Sequence, residues 1–223
     1  MLKVMEIFHS IDGEGIRAGE LTSFIRLAGC NLHCKYCDTA YSINPNKDQF
    51  AEWTVDALVN EAKHKNVTVT GGEPLLQPET AELCERLAKC GHSVNVETNG
   101  TIIPPARPIE TLGEIFYTVD YKCGASGHEK QMKKEAFTNL CLCDVIKCVV
   151  GSVEDLENSL FQLRDWIPHL GNGISPWVYF SPVFGKIEPR EIVKFMQREK
   201  LEGKFRVQLQ LHKFIWDPRE RMV

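Results

Sequence analysis

No stretch of the 223 residues is apolar for long enough to span a bilayer, and the Met1-Leu2-Lys3 start lacks the apolar core of a secretory signal. The sequence also lacks internal repeats, low-complexity tracts and any linker. It therefore reads as one domain over residues 1–223, long enough to bury a real core. It lacks a charge excess of either sign. With 26 Lys and Arg against 30 Asp and Glu, the net charge of -4 excludes broad attraction to nucleic acid or a membrane surface. Nor is there an even cysteine framework. Nine cysteines, three of them within eight residues, argue against a disulfide scaffold and for a reducing, cytoplasmic setting.

Those three cysteines dominate what is present. Gly29-Cys30-Asn31-Leu32-His33-Cys34-Lys35-Tyr36-Cys37-Asp38-Thr39 spaces them as C-x3-C-x2-C, just after a strand expected over residues 23–27. Thiolates are the usual protein ligands of iron–sulfur clusters. Three of them would hold three irons of a [4Fe–4S] cube and leave the fourth open, as a catalytic metal site keeps a position for its reactant. Zinc would need a fourth ligand and more often uses C-x2-C pairs. A catalytic thiol would need one cysteine and a basic partner.

The rest of the chain alternates strands and helices. Strands are expected over residues 4–8, 67–70, 93–97, 115–119, 144–150 and 177–180. Helices are expected over 54–65 with Thr54 as cap, 78–90, 153–166 and 188–199. The pattern predicts parallel strands with helical crossovers, and polar strand ends suit a partial barrel binding its ligands at the strands' C-terminal edge. Ser10-Ile11-Asp12-Gly13-Glu14-Gly15 is either a surface turn or a loop where backbone approaches a ligand. Arg26, alone in an apolar strand four residues before Cys30, either snorkels or points a guanidinium into the site. In residues 205–212 the odd positions are apolar and the even ones polar. A strand there puts Gln208, Gln210 and His212 on one face, toward solvent or toward a polar barrel interior. Cys123, Cys141, Cys143 and Cys148 match no compact metal spacing and read as reduced thiols.

The cysteine loop followed by Thr70-Gly71-Gly72-Glu73-Pro74 resembles the radical S-adenosylmethionine enzymes. With Ser10 to Gly15, Phe24-Ile25-Arg26, Cys37-Asp38-Thr39 and the segment from Gln208 to Trp216, the chain resembles the 7-carboxy-7-deazaguanine synthase family over nearly its whole length. One departure is Asp12, where many relatives carry glutamine. The resemblance implies an α/β fold, a partial (β/α)6-type barrel. It implies a carbon–nitrogen lyase of queuosine biosynthesis that contracts the ring of 6-carboxy-5,6,7,8-tetrahydropterin, using a [4Fe–4S] cluster, S-adenosylmethionine and magnesium. It places the cluster on Cys30, Cys34 and Cys37 and magnesium on Thr39. Cofactor contacts fall on Tyr36, Gly72, Asp120, Tyr121, Lys122, Ser181, Pro182, Val183 and Phe184. Substrate contacts fall on Ile11, Asp12, Gly13, Arg26 and Thr70. The implied partners are a small-molecule pterin, a one-electron reductant such as flavodoxin or ferredoxin, and a second copy in a homodimer. The competing readings are a glycyl-radical enzyme activase acting on a protein, which shares the cysteine loop, and an electron carrier, which would need four cysteine ligands.

Overall fold

The computed structural model describes every residue except Leu112. Nine strands form one sheet in the order β3-β1-β2-β4-β5-β6-β7-β8-β9. They are β1 (Leu2–Ile11), β2 (Leu21–Leu27), β3 (Ala51–Trp53), β4 (Asn66–Gly71), β5 (Ser93–Thr98), β6 (Ile115–Tyr121), β7 (Val145–Val150), β8 (Trp177–Pro182) and β9 (Phe205–Val207). From β2 through β9 every neighbouring pair is parallel, giving the expected partial barrel. The expectation of parallel strands fails at one edge, where β1 pairs antiparallel with both β2 and β3. The short loop from β1 to β2 leaves no room for the crossover that a parallel neighbour needs.

Helices α1 (Val55–Glu61), α2 (Thr80–Lys89), α3 (Lys134–Thr138), α4 (Val153–Trp166) and α5 (Pro189–Arg198) lie on the crossovers, and α6 (His212–Ile215) ends the fold. Thr54 caps α1, its hydroxyl accepting from the Ala57 amide at 3.2 Å, and Ser152 caps α4 in the same way. The connection from β5 to β6 holds only a 3₁₀ turn, because Pro104, Pro105 and Pro108 deny it helical hydrogen bonds. Leu83 and Leu87 of α2 and Leu156, Leu160 and Leu163 of α4 bury their stripes against Val94, Val96, Val119 and Ile146 on the outer face of the sheet.

The inner face of the sheet is polar. At the lower end, Arg17 donates to Ser93 O, Val67 O and Thr68 Oγ1 and pairs with Asp12 at 3.0 Å, closing the barrel where β4 and β5 begin. Thr118 Oγ1 donates to Asn95 Oδ1 at 2.9 Å in the layer above.

Residues 205–212 do not form one strand. The ladder stops at Val207, and the backbone turns to the Gly13 to Gly15 loop instead. Leu211 N donates to Gly13 O at 3.0 Å and Gln208 Nε2 to Gly15 O at 3.1 Å. Gln208 is buried while Val207 and Leu209 are exposed, so the polar face does turn inward. The glycine-acid loop is thus no plain surface turn. A Cβ on Gly13 would lie 2.2 Å from His212 Nδ1, and this close approach requires glycine.

Candidate active site

A two-lobed cavity opens at the C-terminal rim of the strands, its lobes measuring about 170 and 180 Å³. Cys30, Cys34, Cys37, Tyr36, Gly72, Asp120, Lys122, Val183 and Phe184 line the first lobe. Ile11, Asp12, Gly13, Tyr41 and His212 line the second, with the tail from Pro218 to Val223. Arg26, Thr39, Thr70, Glu97 and Gln210 line both, forming the shared wall. The five residues matched to substrate therefore all border one lobe. Of the nine matched to cofactor, Tyr121, Ser181 and Pro182 do not line the other. Tyr121 is buried outside the barrel, edge-on to Phe137 and Trp166, and Ser181 donates to Glu14 Oε1 at 3.2 Å.

Glycines fix how the cysteine loop sits. A Cβ on Gly72 would lie 2.2 Å from Gly29 O, and one on Gly71 2.2 Å from Leu27 O. The end of β4 therefore packs backbone to backbone under the loop. Glu73 is fully buried and holds this corner, accepting from Asn99 N at 2.6 Å, Thr98 Oγ1 at 2.7 Å and Leu75 N at 3.0 Å. Gly72→Ala is expected to displace the loop, lowering iron content after anaerobic reconstitution by more than it lowers the melting temperature. Iron per chain measured beside a thermal melt checks this.

The donor set fits an iron–sulfur cube better than a single ion. A structural zinc would take four protein ligands, and this loop offers three thiols. Two amide donors face Cys30 Sγ, Leu32 N at 3.4 Å and Asn99 Nδ2 at 3.8 Å, as cluster sulfurs favour. Burial pushes the Cys30 and Cys34 thiols up, so their ionised forms call for a cationic partner. The buried Tyr36 hydroxyl has no hydrogen-bond partner among the described residues and is free for a ligand. The later cysteines do not converge on one site, although the thiols of Cys141 and Cys143 and the Asp144 carboxylate lie within 4.8 Å of one another. Cys123 and Cys148 lie in the outer core, while the Sγ atoms of Cys141 and Cys143 meet at 3.1 Å before β7, at the opposite end of the barrel.

Charge inside the cavity is matched. Lys147 bridges Glu14 at 3.0 Å and Asp120 at 3.2 Å, and Lys122 meets Asp120 at 2.6 Å. Against the penalty of burial, Asp120, Glu14 and Glu97 hold Lys147 protonated, its pKa raised; Lys122 and Lys147 likewise hold the Asp120 carboxyl low. Burial raises Glu97, which accepts from Thr70 Oγ1 at 2.8 Å. Glu6 gathers three donors: Arg26 Nε at 2.7 Å, the Tyr41 hydroxyl at 2.6 Å and Arg221 Nη2 at 3.1 Å. Arg26 is thus a half-buried guanidinium oriented by Glu6, not a snorkelling one. Asp12 spends its carboxylate on Arg17, Thr22 and Thr68, and its backbone donates to Glu20 O and accepts from Gly19 N within the loop before β2. Thr39 makes no side-chain cap, and its hydroxyl lies 3.6 Å from Cys37 Sγ.

A partial barrel carrying three cluster-spaced thiols at its C-terminal rim, beside a double-glycine corner, is the arrangement of a radical S-adenosylmethionine enzyme. A family model described as the Radical SAM superfamily matches residues 24–134. The 7-carboxy-7-deazaguanine synthase of Clostridium acetobutylicum is 40% identical, covering 99% of each chain. That of Methanospirillum hungatei is 37% identical, covering 97% of this chain and 86% of the relative. The chain belongs to the 7-carboxy-7-deazaguanine synthase family. The crystal structure of QueE from Escherichia coli shares the fold, with a TM-score of 0.74 and 23% identity over 93% of each chain.

Sequence reading did not single out Glu97, Lys147 or Glu6, and it met Glu14 only as the acid of the glycine-acid loop. A signal existed for Glu97. With Asn95 it alternates with Val94 and Val96 in a strand enclosed on both sides, the mark of a polar lumen.

Proposed function

We propose that the chain converts 6-carboxy-5,6,7,8-tetrahydropterin to 7-carboxy-7-deazaguanine, with hydrogen abstraction at C6, ring contraction and loss of ammonia. The observation that carries this reading is the shared wall, where Arg26, Thr39, Thr70 and Glu97 border both lobes. A pterin in the second lobe would lie against a cofactor in the first, so the wall orients the reacting carbon.

Cys30, Cys34 and Cys37 would hold the [4Fe–4S] cluster, and Tyr36, Gly72, Asp120, Lys122, Val183 and Phe184 would border S-adenosylmethionine. When bound, cluster and S-adenosylmethionine together supply a 5′-deoxyadenosyl radical. Arg26 would receive the substrate carboxylate on the guanidinium nitrogens that Glu6 leaves free. The Glu97 oxygen not engaged by Thr70 would accept from the N–H groups of the aminopyrimidine ring. Ile11, Asp12 and Gly13 would line the ring's side of the second lobe, with Gly13 pressed against His212. The family resemblance supports a cytoplasmic homodimer served by a one-electron reductant.

Magnesium would sit between Thr39 and the substrate carboxylate. Magnesium takes oxygen ligands, keeps several waters and often uses one or two protein groups. The uncapped Thr39 hydroxyl on the shared wall supports this placement. The test is anaerobic S-adenosylmethionine cleavage, with 5′-deoxyadenosine expected to form at an enzymatic rate only when both pterin and magnesium are present. Thr39→Ala should raise the magnesium concentration needed for half-maximal turnover roughly tenfold, about 1.4 kcal/mol of binding, and leave iron content intact. An unchanged magnesium dependence would remove Thr39 from the metal site.

A further inference from the structure

Cys141 and Cys143 place two sulfurs at the end of the barrel opposite the cavity, where the reaction does not use them. A turn sets them side by side. Asp144 N donates to Cys141 O at 3.0 Å, and the Asp144 carboxylate accepts from Cys141 N at 2.8 Å. The two Sγ atoms lie 3.1 Å apart, both residues half-buried, with Leu142 exposed between them. Arg107, from the proline-rich connection before β6, stands over the pair. Its Nη2 donates to Cys141 Sγ at 3.1 Å, and its Nη1 lies 3.7 Å from Cys143 Sγ. The same guanidinium takes both Asp144 oxygens, at 2.6 and 2.8 Å, in a buried ion pair, and Tyr117 N donates to one of them at 2.8 Å. Asp144 is therefore already matched, and two thiols without it are too few for a structural zinc site. Cys84, Cys123 and Cys148 are buried out of a reagent's reach.

We propose that Cys141 and Cys143 form a thiol–disulfide exchange site for a low-molecular-weight disulfide of the glutathione class, with Cys141 attacking and Cys143 resolving. Reactive cysteines occupy electropositive, partly exposed positions, and here Arg107 and the turn provide both. Burial, the hydrogen bond with Cys141 and the Asp144 carboxylate push the Cys143 thiol up, so it keeps its proton and donates toward Cys141. The Cys141 thiolate bonds to one sulfur of the small disulfide, whose S–S bond breaks and releases one thiolate. Cys143 then gives up its proton and bonds to Cys141 Sγ, expelling the second thiolate. The two cysteines lose two electrons and two protons, and the small disulfide gains them as two thiols. Being partly exposed, the protein disulfide exchanges back when reduced thiol is in excess.

Mass mapping of the reconstituted holoenzyme in anaerobic buffers of oxidised and reduced glutathione tests this. After acid quenching, alkylation and trypsin, the peptide Glu135–Lys147 carries Cys141 and Cys143 and no other cysteine. In oxidised glutathione that peptide is expected to become two hydrogens lighter and closed to alkylation, and to reopen when reduced glutathione is added. Cys143→Ser removes the resolving thiol, so one glutathione should stay on Cys141. Cys141→Ser should take up glutathione roughly tenfold more slowly than Cys143→Ser, because it lacks the thiol beside Arg107. Both substitutions keep the size of a half-buried side chain, and the peptide masses are read whether or not the cluster is present. Full alkylation of both cysteines throughout, in buffers where the exposed Cys90 takes up glutathione, would overturn the proposal. Equal rates in the two single variants would overturn the attacking role of Cys141.

Discussion

Replacing Cys30, Cys34 and Cys37 together with alanine is expected to give a folded protein with no visible chromophore after anaerobic reconstitution and no detectable turnover. The three thiols sit half-buried on a loop, with Cys30 and Cys34 only bordering the main core, so their loss leaves that core in place. They are also the donors that the first lobe offers to iron at cluster spacing. Because metal binding adds to folding stability, reconstituted wild type should melt above its iron-free form, and the triple variant should show no such rise. Absorption spectra, iron and sulfide assays and paired melts check this. A full cluster surviving in the variant would transfer the ligand role to the later cysteines, although the structure splits those between the outer core and the opposite end of the barrel.

The second large effect is expected at Arg26. Arg26→Ala should weaken pterin binding by roughly 2–4 kcal/mol, about 30- to 1,000-fold, because it removes a half-buried, oriented guanidinium that would pair bidentately with the substrate carboxylate. S-adenosylmethionine binding should stay near wild type. Arg26→Lys should recover only part of the loss, since an ammonium lacks the planar fork. Calorimetry with each ligand separately checks both variants, and unchanged pterin affinity in both would remove Arg26 from the substrate site. Arg26→Ala also takes one partner from Glu6. Burial raises the Glu6 carboxyl, but Tyr41, Arg26 and Arg221 outweigh it and hold its pKa below 4.5. A depressed acid contributes stability that is present above its unfolded pKa and lost as pH falls through the folded value. The melting temperatures of wild type and Arg26→Ala should therefore differ most near neutrality and converge in acid.

Local chemistry was the part of this protein open to reading from sequence. Thr54 marks a helix start because a cap acts within four residues, and α4 runs over the 153–166 span expected for it. The cysteine loop and the glycine corner were legible because their spacing is itself the requirement. Contacts between distant segments were not. Nothing near Glu6 announces that Arg26, Tyr41 and Arg221 converge on it from separate parts of the chain. Asp12 was read as a substrate contact, yet its carboxylate answers to Arg17 at the lower end of the barrel. The terminal alternation correctly turned Gln208 inward, but it extended β9 too far. Hydrogen bonding to Gly13 and Gly15 takes the backbone away from the ladder, and no periodicity reports that competition.

The most direct test of the functional reading is to incubate the reconstituted protein anaerobically with 6-carboxy-5,6,7,8-tetrahydropterin, S-adenosylmethionine, magnesium and dithionite, and to identify the product by mass spectrometry. The account predicts 7-carboxy-7-deazaguanine with release of ammonia, over many turnovers per chain. A protein with a full cluster that cleaves S-adenosylmethionine yet returns the pterin unchanged would contradict it.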